Sequence, residues 1–502
     1  MDLRIRPIGA RAPGAGGELA RTLGATHLVL LGLASIVGAG IFILTAEAAQ
    51  RAGPAMIASF VLAAAVCGAA ALCYAELASV SPVAGGGYSY AYVTIGEFGA
   101  WLAAWALLAE YLLATGAIAV GWSGYVVGLL DRVIGADPSL SWLSLPANLR
   151  AGLFAGGLVN LPAASIVFVI TVLLVIGTRV GVGFAIVLLT AKLAALGLFI
   201  SLSAPAFDAS HFAPFAPLGA AGIGAAAASI FFAYLGYDTI AAAGEETRNP
   251  QRALPIGILG AIALATILYI VVAVFAVGAI GAQPLLDARG VALTPGSEQF
   301  LAACAAYGAE APLVCSREAL ATVLASIGRP DAANMLGIIV FLALPSAIVS
   351  TLFALSRLFY ALSRDGLLPS GFSKVSPRFG TPARMIVLAG GMALVIAALF
   401  PIGRLADVAN AGTLFVFFVT SFGLLVLRRR LPGLVRPFRL PAAGLVAPLA
   451  MAGCAFLFFR LPQTTQVAFA IWTAIGALAY LAYGRARSGF ARGAAPSAAT
   501  SE

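Results

Sequence analysis

Residues 31–49 read "LGLASIVGAGIFILTAEAA", an apolar run with Gly38 and Gly40 flanking Ala39 near its centre. At about 1.5 Å of rise per residue such a run spans the hydrocarbon core of a bilayer. A second stretch, residues 225–246, reads "AAAASIFFAYLGYDTIAAAGEE" and carries Gly236 inside an aromatic cluster. Glycine in mid-span weakens a helix and permits it to unwind. Matched interruptions in two halves of a chain point to a binding site near the membrane midplane. Close packing of small residues is the alternative, and among 56 glycines it accounts for most. It accounts less well for interruptions at corresponding positions.

The rest of the chain fits a membrane protein. Of its 502 residues 61% are hydrophobic and 10% charged, and the mean hydropathy is +1.01, values that a water-soluble domain of this length would not tolerate. Apolar runs predict twelve transmembrane helices, at 26–49, 54–79, 97–130, 162–178, 181–204, 220–243, 255–281, 334–362, 383–401, 405–427, 440–460 and 465–484. The fold class expected is all-α and integral to the membrane. The short alternating segments of an outer-membrane barrel are not seen in the sequence, and the first span carries no small-residue cleavage site, so no removable signal peptide is read.

Spans 1 to 5 and 6 to 10 form two sets whose first member is interrupted. An odd number of spans per set inverts the second relative to the first, the inverted repeat of many secondary transporters. The divisions are a tail 1–25, a first repeat 26–204, a second repeat 205–427 with a long loop 282–333 expected to hold short helices, two further spans in 428–484 and a tail 485–502. The segment "SPVAGGGYSYAYVTIGE" after the second span reads as a short amphipathic helix along the surface, with Tyr88, Tyr90 and Tyr92 as interfacial aromatics.

A net charge of +9 raises the question of nucleic acid, and the distribution answers it. With both termini in the cytoplasm, twenty Lys/Arg are assigned to the inside, at or beyond span ends, and eight to the outside, and with Lys192 these account for all 29. This is the positive-inside pattern of a multi-pass protein of the cell's inner (plasma) membrane, with no nucleic-acid partner implied. The run "RRRLPGLVRPFR" reads as an inside anchor near anionic lipid. Cys67, Cys73 and Cys454 lie in spans as small packing residues, while Cys304 and Cys315 share the long outside loop, where an oxidising compartment permits a disulfide. His27 and His211 are isolated and no span has a metal-binding spacing, so neither metal nor cofactor is expected.

Unwound backbone in a membrane must find a ligand or another protein group. At the first interruption the amides of Gly38, Ala39 and Gly40 begin a half-helix whose positive dipole end suits a carboxylate. Carbonyls of Ser35 and Ile36, with Phe232, Ala233 and Leu235 at the second interruption, suit an ammonium. A site that takes both groups a few ångströms apart suits an α-amino acid. Phe231, Phe232, Tyr234 and Tyr237 would wall the pocket, act as a gate, or simply pack.

Two charges lie far from any span end, Glu110 and Lys192. Lys192, in "VLLTAKLAALGLF" (187–199), is twelve residues from either end, about 18 Å of helix, whereas its stem reaches only about 6 Å. The ammonium must therefore face the bundle interior or a water cavity. Burial disfavours a charged amine, and lysine, unlike arginine, can release its proton. In a chain where 27 of 29 basic residues are arginine, a lysine at this depth points to proton coupling. Glu110 reads equally as a substrate ligand, a partner for a hydroxyl or backbone group, or part of the proton route.

Four stretches carry a resemblance: "LGLASIVGAGIF" (31–42), residues 71–125 from "ALCYAELASV" to "GWSGY", "FFAYLGYDTIAAAGEETRNPQRALPIGI" (231–258) and "ALSRDGLLPSGFSKVSPRFGTP" (361–382). Together they resemble the amino acid–polyamine–organocation superfamily, most of all the bacterial form of its cationic amino acid transporter branch. The resemblance implies a LeuT-like fold of five-plus-five inverted repeats with two added C-terminal helices and broken helices 1 and 6. It also implies substrate contacts from Ile36, Gly38, Ala39, Gly40, Phe232, Ala233 and Leu235, and the Lys192 amine in the place where sodium-coupled relatives hold their ion; Glu110, a further substrate-binding candidate, matches a third-span glutamate of this branch. Ser346, Ser350 and Thr351 on the eighth span would be its neighbours. The residue between the first-span glycines is often Ser or Thr in the family; here it is Ala39, which leaves the carboxylate to the backbone amides. The resulting expectation is a monomeric, proton-coupled importer of L-amino acids, neutral or cationic, working by alternating access. An amino acid/amine exchanger is the alternative, and a membrane sensor or enzyme a remote one.

Overall fold

The computed structural model describes residues 5, 23–81, 86–176, 182–237, 240, 247–308, 312–369 and 381–488. Most of both tails lies outside the described residues, as do 241–246 and 370–380, and with them several of the arginines assigned to the inside. In chain order the helices are α1 (Ala25–Ile36), α2 (Ala39–Ile43), α3 (Thr45–Ala52), α4 (Met56–Val80), α5 (Gly86–Thr94), α6 (Glu97–Ala136), α7 (Leu161–Ile176), α8 (Val182–Ser203), α9 (Gly219–Ile230) and α10 (Pro250–Ile280). There follow α11 (Glu298–Ala306), α12 (Ala319–Ser326), α13 (Pro330–Ala343), α14 (Pro345–Arg364), α15 (Ala383–Leu399), α16 (Ile402–Arg430), α17 (Ala443–Arg460) and α18 (Gln463–Ala479). Among the described residues β-structure is limited to three isolated bridges.

Nine helical segments among the described residues are long and apolar enough to cross a membrane. Three shorter apolar helices, Leu161–Ile176, Gly219–Tyr234 and Ala383–Leu399, stand where the fourth, sixth and ninth spans were expected. The sixth is short because its helix stops at the break described below.

Hydrocarbon gives apolar helices no hydrophobic reason to associate, so close approach through small residues has to hold the bundle together. α1 packs on α10 and α8, α10 on α4, and α16 along α6. A Cβ on Gly257 would come within 2.7 Å of Leu28, and one on Gly412 within 2.8 Å of the Ala106 carbonyl. The periphery is the reverse: Leu445, Leu449, Phe459 and Leu478 on α17 and α18 are each more than half exposed. Such a surface suits lipid and would be an aggregation liability in water. α18 is fixed by indole donors, Trp101 to the Gly476 carbonyl at 2.7 Å, with Trp105 and Trp472 each donating to the other's carbonyl at 2.8 and 2.9 Å.

Two expectations need correction. The helix α5 does not lie along the surface: Tyr88, Tyr90 and Tyr92 are each 1% exposed. The Tyr88 hydroxyl donates to Asp365 at 2.6 Å, Tyr92 to Glu97 at 3.2 Å, and Tyr90 stacks edge-on against Tyr74. A nine-residue helix with an apolar majority carries no periodicity that says what covers it, and here α6 and α16 do. The arginine run is also not simply a lipid anchor. Arg428 donates to both oxygens of the fully buried Glu76, at 3.0 and 2.5 Å, and Arg436 pairs with the same carboxylate at 3.2 Å. The Leu440 amide adds a bond of 2.7 Å, so the segment after α16 is tied to α4.

The loop 282–333 does hold short helices, α11 and α12, and Cys304 and Cys315 are joined in a disulfide with Cα atoms 5.5 Å apart. Cys67, Cys73 and Cys454 are free and buried. A bidentate pair between Arg132 of α6 and Glu318 moors the loop, with the second contact at 2.9 Å. Burial pushes the Glu318 carboxyl up from its usual range, against the pull of Arg132.

Candidate functional site

The first-span helix stops at Ile36 and restarts at Ala39, with Val37 and Gly38 between the two pieces in non-helical geometry. In the sixth span α9 tightens into a 3₁₀ turn over Phe231–Tyr234, Leu235 is extended, and Gly236 has φ +111°. The two interruptions read from the sequence are therefore real breaks, and they lie together. A Cβ on Gly40 would collide with the backbone of Ala233, and one on Gly236 would come within 3.0 Å of the Ser35 backbone. Both glycines are needed because two backbones cross here, and Gly236 also because an L side chain resists its positive φ. Gly38 is different: a Cβ there meets nothing nearer than 3.7 Å, and its neighbours include Ala347 of α14.

A helix end leaves its last four carbonyls without intrahelical donors, and in a bilayer each needs a replacement. Buried side chains supply it. The Lys192 ammonium donates to the Ala34 carbonyl at 3.2 Å, the acceptor that Gly38 N–H would have served had α1 continued. The Tyr269 hydroxyl, from α10, lies 2.8 Å from the Ile36 carbonyl and 3.0 Å from the Ala233 carbonyl, spanning both breaks. The Asn410 amide, from α16, donates to the Ala228 and Ser229 carbonyls at the end of α9, at 2.9 and 2.7 Å. All three side chains are nearly or fully buried, Lys192 at 2% exposed.

Of the residues expected at the site, Ile36, Gly38, Gly40, Phe232, Ala233 and Leu235 meet around the two breaks, with Ala39 opening α2. Lys192 joins them through α1. Glu110 is buried at 4% exposure on α6, and its Cβ would be 3.4 Å from one on Gly412 of α16. Ser346, Ser350 and Thr351 give their hydroxyls to carbonyls of their own chain segment, at 2.6, 3.0 and 3.1 Å, and Thr351 also pairs with Thr115 at 2.8 Å. Among the described residues the acceptor for Lys192 is Ala34 rather than these hydroxyls. Of the aromatic cluster, Tyr234 is a packing residue, its hydroxyl on the Phe60 carbonyl and its ring against Tyr269. Phe231 and Tyr237 both pack on Phe417 of α16.

Sequence reasoning missed Tyr269 and Asn410. An asparagine inside the span 405–427 was a signal, since polar residues in a span are costly and have work to do. Tyr269 gave none, being one of 13 tyrosines. Asp407, one turn before Asn410, was overlooked too. Arg51 reaches it and Glu47 at 2.8 Å each, joining α3 to α16.

The Amino acid permease family model matches residues 23–480. A methylthioribose transporter of Bacillus subtilis is 37% identical over 94% of this chain and 95% of its own. The branched-chain amino acid permease BcaP of the same organism is 36% identical, with 94% of both covered. The vacuolar cationic amino acid transporter 2 of Arabidopsis thaliana is 33% identical over 82% of this chain and 60% of its own length. With a family model covering most of the chain and relatives similar from end to end, this protein belongs to the amino acid permease family of the amino acid–polyamine–organocation superfamily, a family of membrane transporters.

Proposed function

We propose that the protein is a proton-coupled importer of L-amino acids that works by alternating access. The observation that carries this reading is Lys192, a buried amine whose one acceptor among the described residues is a carbonyl freed by the break in the first span. With its proton the amine holds α8 to α1 through a charge-assisted hydrogen bond; without it only a neutral amine N–H is left to donate, so the bond weakens and the hold on the first half-helix loosens. Proton binding would thus bias the same element that forms half of the substrate site, as coupling requires.

The site chemistry suits an α-amino acid. The Tyr269 hydroxyl has one proton for two carbonyls, so one of Ile36 and Ala233 can always accept from a substrate ammonium. The amides that open α2 would take the carboxylate. Relatives named for branched-chain and cationic amino acids support this substrate class. In this reading twelve helices cross the plasma membrane with both termini in the cytoplasm, 26–204 and 205–427 form the inverted repeats of a LeuT-like fold, and the protein works as a monomer.

Uptake of amino acids by purified protein in liposomes, under an inward proton gradient or an inward sodium gradient, tests the proposal. Accumulation driven by the proton gradient alone is the expected result; accumulation driven by sodium and indifferent to pH refutes it. Counterflow without net uptake would favour an amino acid/amine exchanger. The methylthioribose transporter relative supports a second reading, a thiosugar substrate, so methylthioribose belongs in the same assay.

A further inference from the structure

We propose that Tyr125 is a positioning residue for the substrate site: through the Phe42 carbonyl it ties the restarted first span to α6 and keeps the crossing of the two breaks assembled. This rests on the reading that the breaks form the substrate site and adds to it the side chain that holds one half in place.

α2 is five residues long, with Val37 and Gly38 in non-helical geometry before it and Leu44 separating it from α3. A helix this short has no stability of its own, so its direction comes from what it touches. Carbonyls at a helix end need donors from outside the helix ladder, and two at the end of α2 receive them from side chains. The Ile41 carbonyl accepts from the Thr45 hydroxyl at 2.5 Å, a bond within the same stretch of chain. The Phe42 carbonyl accepts from the Tyr125 hydroxyl at 2.8 Å, a bond that comes from α6, 83 positions away. Tyr125 is fully buried, so no water competes for that acceptor.

Gly121 stands four residues before Tyr125, on the same face of α6. A Cβ there would collide with the Ile43 side chain, so α6 takes two consecutive residues of α2, Phe42 by a hydrogen bond and Ile43 by close approach. Gly40, within the same turn of α2, is the residue that crosses Ala233 at the second break. The grip on Phe42 and Ile43 therefore fixes where the crossing falls. Further along, α3 has ties of its own: Arg51 reaches Asp407, and the Gln50 amide donates to the Leu285 and Leu293 carbonyls at 2.9 Å each. Those ties act beyond Leu44, whereas Tyr125 acts on the half-helix at the site.

The test titrates the full-length, detergent-purified protein with L-leucine, L-arginine and methylthioribose by thermal shift, and takes as probe whichever binds the wild type most tightly. Tyr125→Phe keeps the ring and its packing and removes the hydroxyl alone. With α2 in place for a smaller fraction of the time, apparent affinity should fall in proportion, by about two- to tenfold for one buried hydrogen bond. Thr45→Val removes a bond of the same kind to the same helix without cutting a link to α6, and its affinity should stay closer to that of the wild type. Unchanged affinity in Tyr125→Phe overturns the proposal, whatever its melting temperature does, and leaves the hydroxyl a structural role. An equal or greater loss in Thr45→Val also overturns it, because meeting the carbonyls, and not anchoring them to α6, would then be what matters. If none of the three probes binds the wild type, the substrate-site reading falls and the proposal with it, an outcome distinct from binding that Tyr125→Phe leaves unchanged.

Discussion

Five carbonyl oxygens at the ends of broken helices are met by three side chains, Lys192, Tyr269 and Asn410, and the site is largely this exchange of backbone donors for side-chain donors. The three differ in what they can give up. Asn410 has two N–H donors and uses both; Tyr269 divides one between two acceptors; Lys192 alone can lose its proton without leaving an anion. Tyr269→Phe leaves the Ile36 and Ala233 carbonyls without that donor, at a cost of about 1–3 kcal/mol. The variant should melt at a lower temperature than the wild type, and a saturating amino acid should raise its melting temperature by more, because the substrate ammonium then satisfies both carbonyls. A smaller ligand-induced shift in the variant would mean that Tyr269 itself contacts the substrate.

At the scale of elements, the crossing of two breaks explains the glycines better than flexibility does. Gly40→Ala forces a methyl against Ala233, and Gly236→Ala puts a side chain at φ +111° and within 3.0 Å of Ser35. Either change should abolish uptake in liposomes while the protein still purifies as a monodisperse species, whereas Gly38→Ala, with no neighbour inside 3.7 Å, should retain more activity than Gly40→Ala. Equal activity of the two variants would contradict the close crossing. These breaks were legible in the sequence because glycine interrupts an apolar run, and Lys192 because a charge does. Tyr269 was not, because its acceptors lie 233 and 36 positions away and an apolar helix conceals one tyrosine among its neighbours. The burial of Tyr88, Tyr90 and Tyr92 was misread for a related reason: what covers a short helix is decided by elements far along the chain.

At the scale of the molecule, α8 carries Lys192 against α1 while α1 meets the sixth-span break at Gly236 and Gly38, just past the end of α1, lies beside Ala347 of α14, so a change at the amine acts on the element that shapes the site. The loop 282–333 is closed by the Cys304–Cys315 bridge and held to α6 by Arg132 and Glu318. A maleimide should label these two cysteines only after reduction, and labelling without reductant would show that the bridge is not formed. The most direct test of coupling through Lys192 is accumulation by Lys192→Ala in liposomes under an inward proton gradient, set beside exchange of labelled for unlabelled amino acid in the same vesicles. Loss of accumulation with exchange retained is the expected result; full accumulation by the variant would contradict proton coupling through Lys192.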